Sequence, residues 1–196
     1  MDLALVIKDA LRYLGAKERD PEAENLLRRV YDGNADVFAP RALYGLYEIT
    51  SYSPEIKLKD YAFPLVGESI RRHLAGASYA LFAAFTLGIA VDKRVRELSL
   101  ARPSESVALN AIASSYAERI ADEMLLEERR KIEADGYKTN FRFCPGYGDL
   151  PLHTNEEIAL ALNAQKKIGL TVTEGGLLLP RKSIVGIVGV MKEVEK

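Results

Sequence analysis

The sequence predicts an α+β fold with a largely antiparallel sheet and helices packed around it. Helical periodicity and strand-like runs are mixed along the chain, and two strand-like runs near its end, joined by LLPRKS, indicate a hairpin. Both observations argue against the regular alternation of a doubly wound α/β order. The length of 196 residues suits one sizeable hydrophobic core, so we expect a single domain over residues 1–196.

Two helices are predicted before the first strand. Apolar residues recur at three- and four-residue steps over residues 3–14, and Gly15 follows them as a stop. The second helix spans about Pro21 to Tyr31, because Asp20 is a suitable N-cap and proline is well tolerated at the first helical position.

Three strands are predicted in the middle of the chain. Residues 42–49 are rich in aromatic and branched side chains, and residues 57–63 alternate between polar and apolar. Residues 78–88 form an apolar run bounded by glycines, which is typical of a buried strand.

Two further helices are expected, over residues 68–74 and from Ser104 to about Asp135. The long helix has an apolar face, and its final charged run, Glu127–Asp135, is interpreted as a solvated surface with i,i+4 ion pairs. The elements predicted after it are a strand over Tyr137–Phe143, a loop, a helix from about Asn155 to Lys167, and strands around Leu170–Leu179 and Ser183–Met191.

The composition argues against several classes of function. The 27 basic and 28 acidic residues give a net charge of -1, which makes no electrostatic case for a nucleic-acid or membrane partner. A single cysteine and two widely separated histidines provide neither a disulfide framework nor the spacing of metal ligands. The first residues resemble no signal peptide or membrane span, so we expect a cytoplasmic protein, and the many charged residues are compatible with a thermophile.

Residues 142–154, RFCPGYGDLPLHT, are predicted to be a shaped loop. Prolines lack an N–H and glycines adopt positive φ, so this stretch cannot be the interior of a helix or strand. Its GYG segment is only faintly similar to a Rossmann turn, because Pro151 delays the helix that should follow at once. The sequence contains no P-loop, G-x-S-x-G, H-E-x-x-H or EF-hand motif.

Five residues around this loop and in the 68–74 helix carry competing interpretations. Cys144 and His153 can be drawn as a nucleophilic dyad, but a single thiol beside a strand end is more often a small buried residue. His73, among charged neighbours, is interpreted as a solvated surface residue. Arg142 can grip a ligand carboxylate or pair with an acidic neighbour, and the Tyr147 ring either packs on the sheet or is displayed at a pocket mouth.

Arg142, Gly146 and Tyr147 form an R-x-x-x-G-Y motif that resembles the S-adenosylmethionine-binding motif of the activation domain of cobalamin-dependent methionine synthase. The likeness continues without a gap from this motif to Gly186. Along it the same residue types stand at Pro145, Pro151, His153, Thr154, Gly169, Thr173, Glu174, Pro180, Ser183 and Gly186. A run of this length is far more specific than the short motif alone.

The resemblance implies a C-shaped α+β domain around a twisted antiparallel sheet, with S-adenosylmethionine bound in a shallow groove. Such a domain moves over the corrin of a synthase whose cobalamin has been oxidised to cob(II)alamin. One electron from a flavodoxin-like or ferredoxin-like donor then accompanies methylation of the cobalt. The domain is thus the activation component of a methyltransferase in methionine biosynthesis, and its task is to position the sulfonium methyl opposite the metal.

The resemblance also implies residue roles. Arg142 holds the methionine carboxylate, and Tyr147, the residue assigned to the catalytic step, stands near the methyl group and the corrin face. The expected ligand-binding set is Arg142, Phe143, Cys144, Pro145, Gly146 and Tyr147, with the backbone of residues 143–145 running along the adenosine. No metal site is expected in this chain, because the cobalamin is carried by the partner.

The sequence departs from the family pattern in three places. The acidic residue of the long helix aligns with Ser114, the acidic residue before the arginine has no counterpart in GYKTN, and a late tyrosine falls near or beyond the last residue. Glu105, Glu118 or Asp149 are candidates to replace the missing carboxylates. The D-x-H-x-x-G cobalamin signature is also absent, so we expect action in trans on a synthase that lacks its own activation domain.

Two alternative functions follow from the same residues. The missing carboxylates motivate a module that docks on a corrinoid protein without binding S-adenosylmethionine. An unrelated thiol enzyme built on Cys144 ranks last, and it predicts that Cys144→Ser abolishes activity.

Overall fold

The computed structural model describes residues 2–16 and 20–192 and combines helices with two antiparallel sheets. The helices are α1 (Leu3–Tyr13), α2 (Pro21–Asp32), α3 (Glu68–His73), α4 (Ile89–Ala101), α5 (Pro103–Ala134), α6 (Thr154–Ala161) and α7 (Ala164–Ile168), with a 3₁₀ turn at Ala35–Val37. The strands are β1 (Arg41–Ser51), β2 (Lys57–Leu58), β3 (Tyr79–Thr86), β4 (Tyr137–Thr139), β5 (Thr171–Val172), β6 (Leu178–Leu179) and β7 (Ser183–Lys192). The α+β prediction is therefore confirmed.

The main sheet has five strands in the order β2-β1-β3-β7-β4, and all neighbours are antiparallel. β3 lies at its centre, and every residue from Ala80 to Thr86 is buried. That burial on both faces explains why its sequence is a continuous apolar run rather than an alternating one. β5 and β6 form a separate two-stranded ribbon.

Helices cover both faces of the main sheet. On one face, Phe82 and Ile187 pack in a buried cluster with residues of α3, α6 and α7. On the other face, Leu81 and Val188 pack against Leu125 of α5. The first half of α5 also belongs to a helical cluster with α1, α2 and α4, so this one helix contacts most of the molecule.

The two N-terminal helices follow the sequence prediction closely. The Asp2 side chain accepts a hydrogen bond from the Ala4 N–H and begins α1. The Asp20 carboxylate accepts one from the Ala23 N–H at 3.0 Å, and Pro21 occupies the first turn of α2. Both caps satisfy amide groups that have no partner inside the helix.

Four predicted elements near the chain turns are wrong in extent. The strand expected over residues 57–63 stops at Leu58, because Asp60 has a positive φ of 58° and reverses the chain. The strand expected over residues 137–143 ends at Thr139. The single helix expected over residues 155–167 is divided into α6 and α7 by Asn163, whose φ of 54° is left-handed. Residues 170–179 hold the β5–β6 hairpin instead of one strand.

Two further differences concern helix α4 and the predicted hairpin. No element was predicted over α4. Its N-cap residue, Gly88, provides no side-chain cap, and the helix buries only Val91 and Leu98, so the apolar periodicity of its sequence is weak. The runs on either side of LLPRKS do not pair as the expected hairpin; β7 pairs with β3 and β4 instead.

No residue of the charged run Glu127–Asp135 at the end of α5 is buried, as expected of a solvated surface. Within this run, Arg129 Nη2 donates to the Asn140 carbonyl at 2.7 Å. The Lys131–Glu128 ion pair within this run has i,i+3 spacing instead of the expected i,i+4.

No helix among the described residues is long and apolar enough to cross a membrane.

Candidate functional site

The segment that leads into the 142–154 loop lies beside strand β7. Asn140 donates its backbone N–H to the Gly189 carbonyl at 3.1 Å, and its side-chain oxygen accepts from the Gly189 N–H at 2.7 Å. Phe143 and Ile187 exchange two backbone hydrogen bonds of 2.9 and 2.8 Å. Arg142 is therefore held in an extended segment at the edge of the sheet, although the ladder is not continuous.

The aliphatic part of Arg142 lies directly on Gly186 of β7. A Cβ atom built on Gly186 would stand 2.5 Å from Arg142 Cγ and 3.0 Å from Cδ, closer than real side chains approach. The absence of a side chain at Gly186 therefore allows Arg142 to cross β7 toward α5.

The Arg142 guanidinium is paired with two carboxylates of α5. Nη2 donates to Glu118 Oε2 at 2.7 Å and to Asp122 Oδ1 at 3.1 Å, and the arginine side chain is only 10 % exposed. Burial lowers the pKa of Arg142, but the Glu118 hydrogen bond, together with the charges of Glu118 and Asp122, outweighs it and raises the pKa above its usual value. Of the two interpretations of Arg142, the structure shows the ion pair.

Both acids that pair with Arg142 are surface residues. The side chains of Glu118 and Asp122 are 51 % and 68 % exposed, so each can turn to water without being left unsolvated. Arg142 Nε is buried and has no acceptor among the described residues, and Nη1 reaches only the Cys144 sulfur at 3.6 Å. The guanidinium therefore keeps donor capacity for another acceptor.

Cys144 is a partly buried thiol beside Arg142. Burial raises the pKa of Cys144, and Glu118 adds to this, whereas Arg142 and Tyr147 oppose it. The thiol is therefore protonated at neutral pH, which is its less nucleophilic form. His153 does not complete the drawn dyad; its Nε2 lies 3.7 Å from Glu157 Oε1, one turn further along the chain.

The loop after Cys144 is closed by its own backbone. Tyr147 N donates to the Cys144 carbonyl at 3.0 Å, and Gly146 N donates to the Leu150 carbonyl at 2.9 Å. Leu150, itself 2 % exposed, anchors the loop in the core. Gly146 has a φ of 90°, a conformation that few other residues adopt at low cost.

Asp149 ties the same loop to helix α3. Its carboxylate accepts hydrogen bonds from the Glu68 N–H at 2.7 Å and the Ser69 N–H at 2.8 Å. These backbone hydrogen bonds, that of Ser69 first, lower the pKa of Asp149 to about 2. Gly148 fits against Ser69, since a Cβ atom there would stand 2.3 Å from its hydroxyl. The loop is thus fixed at both ends before any ligand arrives.

Aromatic rings surround the loop on its open side. The Tyr147 ring is 52 % exposed and meets Phe143 edge to face at 5.6 Å, so it both packs and is displayed. Phe143 stacks on His73 at 4.9 Å, and Phe141 meets His73 at 4.6 Å. His73 is therefore not the solvated residue that was expected: burial lowers its pKa, and its Nε2 is buried.

A cleft of about 360 Å³ between α1 and α5 adjoins this arrangement. It is lined by Asp9, Arg12, Tyr13, Ser115 and Glu118. Glu118 therefore contacts Arg142 and also lines this cleft. Within the described residues no group of three His, Cys, Asp or Glu side chains is placed to hold a metal ion.

A solved structure with the same architecture is the crystal structure of the MetH reactivation domain bound to AdoHcy, S-adenosylhomocysteine. The TM-score is 0.69, and the match covers 99 % of this chain and 77 % of that one at 17 % identity. The chain has the fold of a methionine synthase reactivation domain. No family model matches the sequence, and no curated protein matches it.

The reactivation-domain fold inferred from the R-x-x-x-G-Y motif is thereby confirmed, together with its antiparallel sheet and surrounding helices. The likeness in sequence is far lower than the likeness in structure.

The three candidate substitutes for the missing carboxylates have separate positions in this reactivation-domain fold. Glu105 forms an ion pair with Arg102 at 3.0 Å, and the Asp149 carboxylate accepts a backbone hydrogen bond at the start of α3. Glu118 alone of the three contacts Arg142, one helical turn after Ser114. Ser114 and Glu118 therefore lie on the same face of α5.

Two further residues contact α5 or Arg142 and were not singled out from the sequence: Asp122, which pairs with Arg142, and Lys182, which contacts Ser114. Asp122 follows Glu118 by one turn, so the i,i+4 spacing was a usable signal. Lys182 Nζ donates to Ser114 Oγ at 2.8 Å, and burial lowers the pKa of Lys182. No local pattern announces that contact, since the two residues are far apart along the chain.

Proposed function

We propose that this chain binds S-adenosylmethionine and serves as the activation component of a cobalamin-dependent methionine synthase. The observation that supports the proposal best is the fold, which matches a reactivation domain bound to AdoHcy along nearly the whole chain. The Arg142–Tyr147 motif, at the sheet edge with a rigid loop after it, is the second support. Such a protein would work in the cytoplasm.

Arg142, Glu118 and Asp122 form a group suited to a zwitterionic ligand. The methionine half of S-adenosylmethionine offers a carboxylate and an ammonium group. In the proposed complex the carboxylate binds the unused donors of Arg142 and displaces Asp122, whose contact is the longer and more exposed one. Glu118 then receives the ammonium group. The net negative charge of the three side chains also favours the cationic methyl donor over neutral AdoHcy.

In this proposal the 142–154 loop positions the ligand. In the proposed complex the backbone of residues 143–145 runs along the adenosine, and the exposed ring of Tyr147 stands beside the sulfonium methyl at the face that meets the corrin. The hydrogen bonds within the loop already hold its backbone in one conformation. Ligand binding therefore costs less conformational entropy than it would with a flexible loop. Holding the methyl group in line with the acceptor is an orientation effect, and this is the chain's part in the reaction.

The acceptor chemistry belongs to the partners. Cob(II)alamin bound to the synthase takes one electron from a flavodoxin-like or ferredoxin-like donor and the methyl group from S-adenosylmethionine, which leaves methylcobalamin and AdoHcy. The sequence holds no D-x-H-x-x-G segment to ligate cobalamin. We propose action in trans, on a synthase that lacks its own activation domain.

Calorimetric titration with S-adenosylmethionine and AdoHcy tests ligand binding. We expect Arg142→Ala to weaken both ligands by roughly ten- to a hundredfold, since a charge-assisted hydrogen bond is lost. We expect Asp122→Asn to bind AdoHcy at least as tightly as wild type, because it removes the competing carboxylate, and to lose part of the preference for cationic S-adenosylmethionine. Arg28→Ala, which removes an arginine–carboxylate pair on α2, away from Arg142, is the matched control. Absence of heat at millimolar ligand with the wild-type protein would exclude the proposed binding.

A docking module without S-adenosylmethionine binding is the second candidate. The observation that favours it is that Arg142 already has two carboxylate partners. A reactivation assay distinguishes the activation component from the docking module. A truncated synthase that carries cob(II)alamin is mixed with a reductant and S-adenosylmethionine, with or without this chain. The proposed function requires methylcobalamin formation that depends on the chain and falls in Arg142→Ala. Complex formation without methylation would support the docking module.

A further inference from the structure

The edge segment that leads to Arg142 contains one residue more than the part of β7 beside it. β4 pairs with β7 up to Thr139 and Val190, and the pairing resumes at Phe143 and Ile187. Between these two pairs, three residues of the edge segment lie opposite two residues of β7. One extra residue in one strand of an antiparallel pair is a β-bulge.

The bulge changes the face toward which the following side chains point. In a regular strand, residues an odd number of positions apart point to opposite faces. Asn140 and Phe143 break this rule, because Asn140 Nδ2 donates to the His73 carbonyl at 2.6 Å and the Phe143 ring stacks on the His73 ring at 4.9 Å. Tyr137 and Arg142 break it as well, since Tyr137 packs in the cluster between the sheet and α5, and Arg142 binds α5. A continuous ladder would turn Arg142 toward α3, so the bulge is what directs it to α5.

The Asn140 side chain takes the place of a ladder carbonyl at this bulge. The Asn140 backbone N–H donates to the Gly189 carbonyl at 3.1 Å, as in a regular ladder. The Gly189 N–H, however, donates to Asn140 Oδ1 at 2.7 Å, and the Asn140 carbonyl accepts instead from Arg129 Nη2 of α5 at 2.7 Å. Gly189 is buried, so its N–H depends on this side-chain acceptor.

Strand β7 makes room for Asn140 at Gly189. A Cβ atom built on Gly189 would stand 2.8 Å from Asn140 Nδ2 and 3.3 Å from its Oδ1. Asparagine suits the position because its amide supplies an acceptor for Gly189 and a donor for His73 at the same time. One side chain and its backbone thus join α3, α5 and β7 two residues before Arg142.

We propose that Asn140 is a positioning residue for ligand binding, and that its bulge directs Arg142 to α5. The inference rests on the proposed function, because Arg142 is taken to bind the carboxylate of the ligand. Without the Oδ1 acceptor, regular ladder pairing satisfies the Gly189 N–H through the carbonyl of residue 140. That pairing releases Arg129 and removes the bulge, so Arg142 turns away from its place in the site.

Calorimetric titration with AdoHcy in a double-mutant cycle tests whether Asn140 acts through Arg142. We expect Asn140→Ala to weaken AdoHcy by about tenfold or more in the otherwise wild-type chain. In the Arg142→Ala background the same change should weaken AdoHcy by less than about twofold, because the residue that Asn140 positions is already gone. Asn140→Asp, which keeps the acceptor for Gly189 and loses the donor to His73, should bind within about threefold of wild type.

Asn34→Ala is the matched control. The Asn34 side chain also donates to a backbone carbonyl, that of Val30, and accepts from an arginine, Arg94, but it follows α2 in the helical part of the molecule. We expect this variant to be less stable in urea and to bind AdoHcy like wild type. Destabilisation by itself then does not account for weaker binding.

A crystal structure of Asn140→Ala gives a readout that needs no ligand, since Arg142 should no longer pair with Glu118. The wild-type pairing in that structure, or equal weakening of AdoHcy with and without Arg142, would overturn the assignment of Asn140. An Asn140→Asp variant that binds as weakly as Asn140→Ala would overturn it too. If the wild-type chain binds no AdoHcy, the proposed function fails and the crystal structure alone tests Asn140. Gly189→Ala, which disturbs the same contact from β7, replaces Asn140→Ala should the latter not fold.

Discussion

Gly186 determines where the Arg142 side chain lies. The nearest alternative residue, alanine, would place its Cβ 2.5 Å from Arg142 Cγ, in a part of β7 that is otherwise buried. The arginine must then shift away from Glu118 or the strand must move. Packing at this glycine therefore controls an electrostatic contact, although glycine has no charge and no side chain.

Gly186→Ala tests this control. We expect it to cost about 1–3 kcal/mol of unfolding free energy, as overpacked positions do, and to weaken AdoHcy binding because Arg142 is displaced. Urea unfolding followed by circular dichroism measures the first effect and calorimetry the second. Gly175→Ala is the matched control, since the nearest atom to its added Cβ is 3.9 Å away. Equal behaviour of the two variants would show that Arg142 adapts without cost.

The 144–150 loop connects two elements that are distant in sequence, strand β7 and helix α3. Its backbone closes on itself, Leu150 enters the core, and Asp149 binds two amide groups at the start of α3. These contacts make the loop part of the folded framework rather than a flexible connection. A rigid loop is what the proposed positioning of a methyl donor needs.

The Asp149 contacts predict a defined acid dependence of stability. The folded-state pKa of Asp149, about 2, lies below the ordinary value of 3.8, so its contribution is present above about pH 4 and is lost as the pH falls toward 2. Asp149→Asn should therefore lower the melting temperature at neutral pH, and the difference from wild type should shrink over that range. Thermal melts at a series of pH values measure it. A difference that is constant down to pH 2 would contradict the assignment.

At the scale of the whole molecule, α5 joins the helical part to the sheet. Leu109 and Ile112 pack with Ile7 and Leu27 in the helical cluster, and Ala121 and Leu125 pack on the sheet. Neither part can separate without exposing one end of this helix. This continuity is the physical argument for the single domain that the chain length suggested.

Leu27→Ala tests whether the chain unfolds as one unit. Leu27 is fully buried in the helical cluster, so we expect a loss of about 2–5 kcal/mol. If the chain is cooperative, far-ultraviolet circular dichroism and tyrosine fluorescence should give coincident transitions in both proteins. Leu100→Ala, at a side chain that is 86 % exposed, should change stability by less than about 0.5 kcal/mol. Two separated transitions would show instead that the helical part is an independent domain.

Local sequence patterns were sufficient to predict those helices and strands whose own residues specify them. The helices α1, α2 and α5 and the strands β1, β3 and β7 were predicted close to their observed bounds, because apolar periodicity and caps act within a few residues. Prediction failed at Asp60 and Asn163, where a left-handed residue breaks an otherwise regular pattern. Neither residue is a glycine, so no strong local signal marked the reversal of the chain.

The candidate site divides in the same way. Proline and glycine in the sequence were enough to predict a shaped loop at residues 142–147, and the R-x-x-x-G-Y pattern linked this loop by resemblance to the reactivation domain. The folded chain was needed to show that Glu118 and Asp122 face Arg142, that His73 is enclosed by two phenylalanine rings, and that Lys182 reaches Ser114. Those contacts depend on strand register and on the rotation of α5 about its axis, and packing of the whole core sets both.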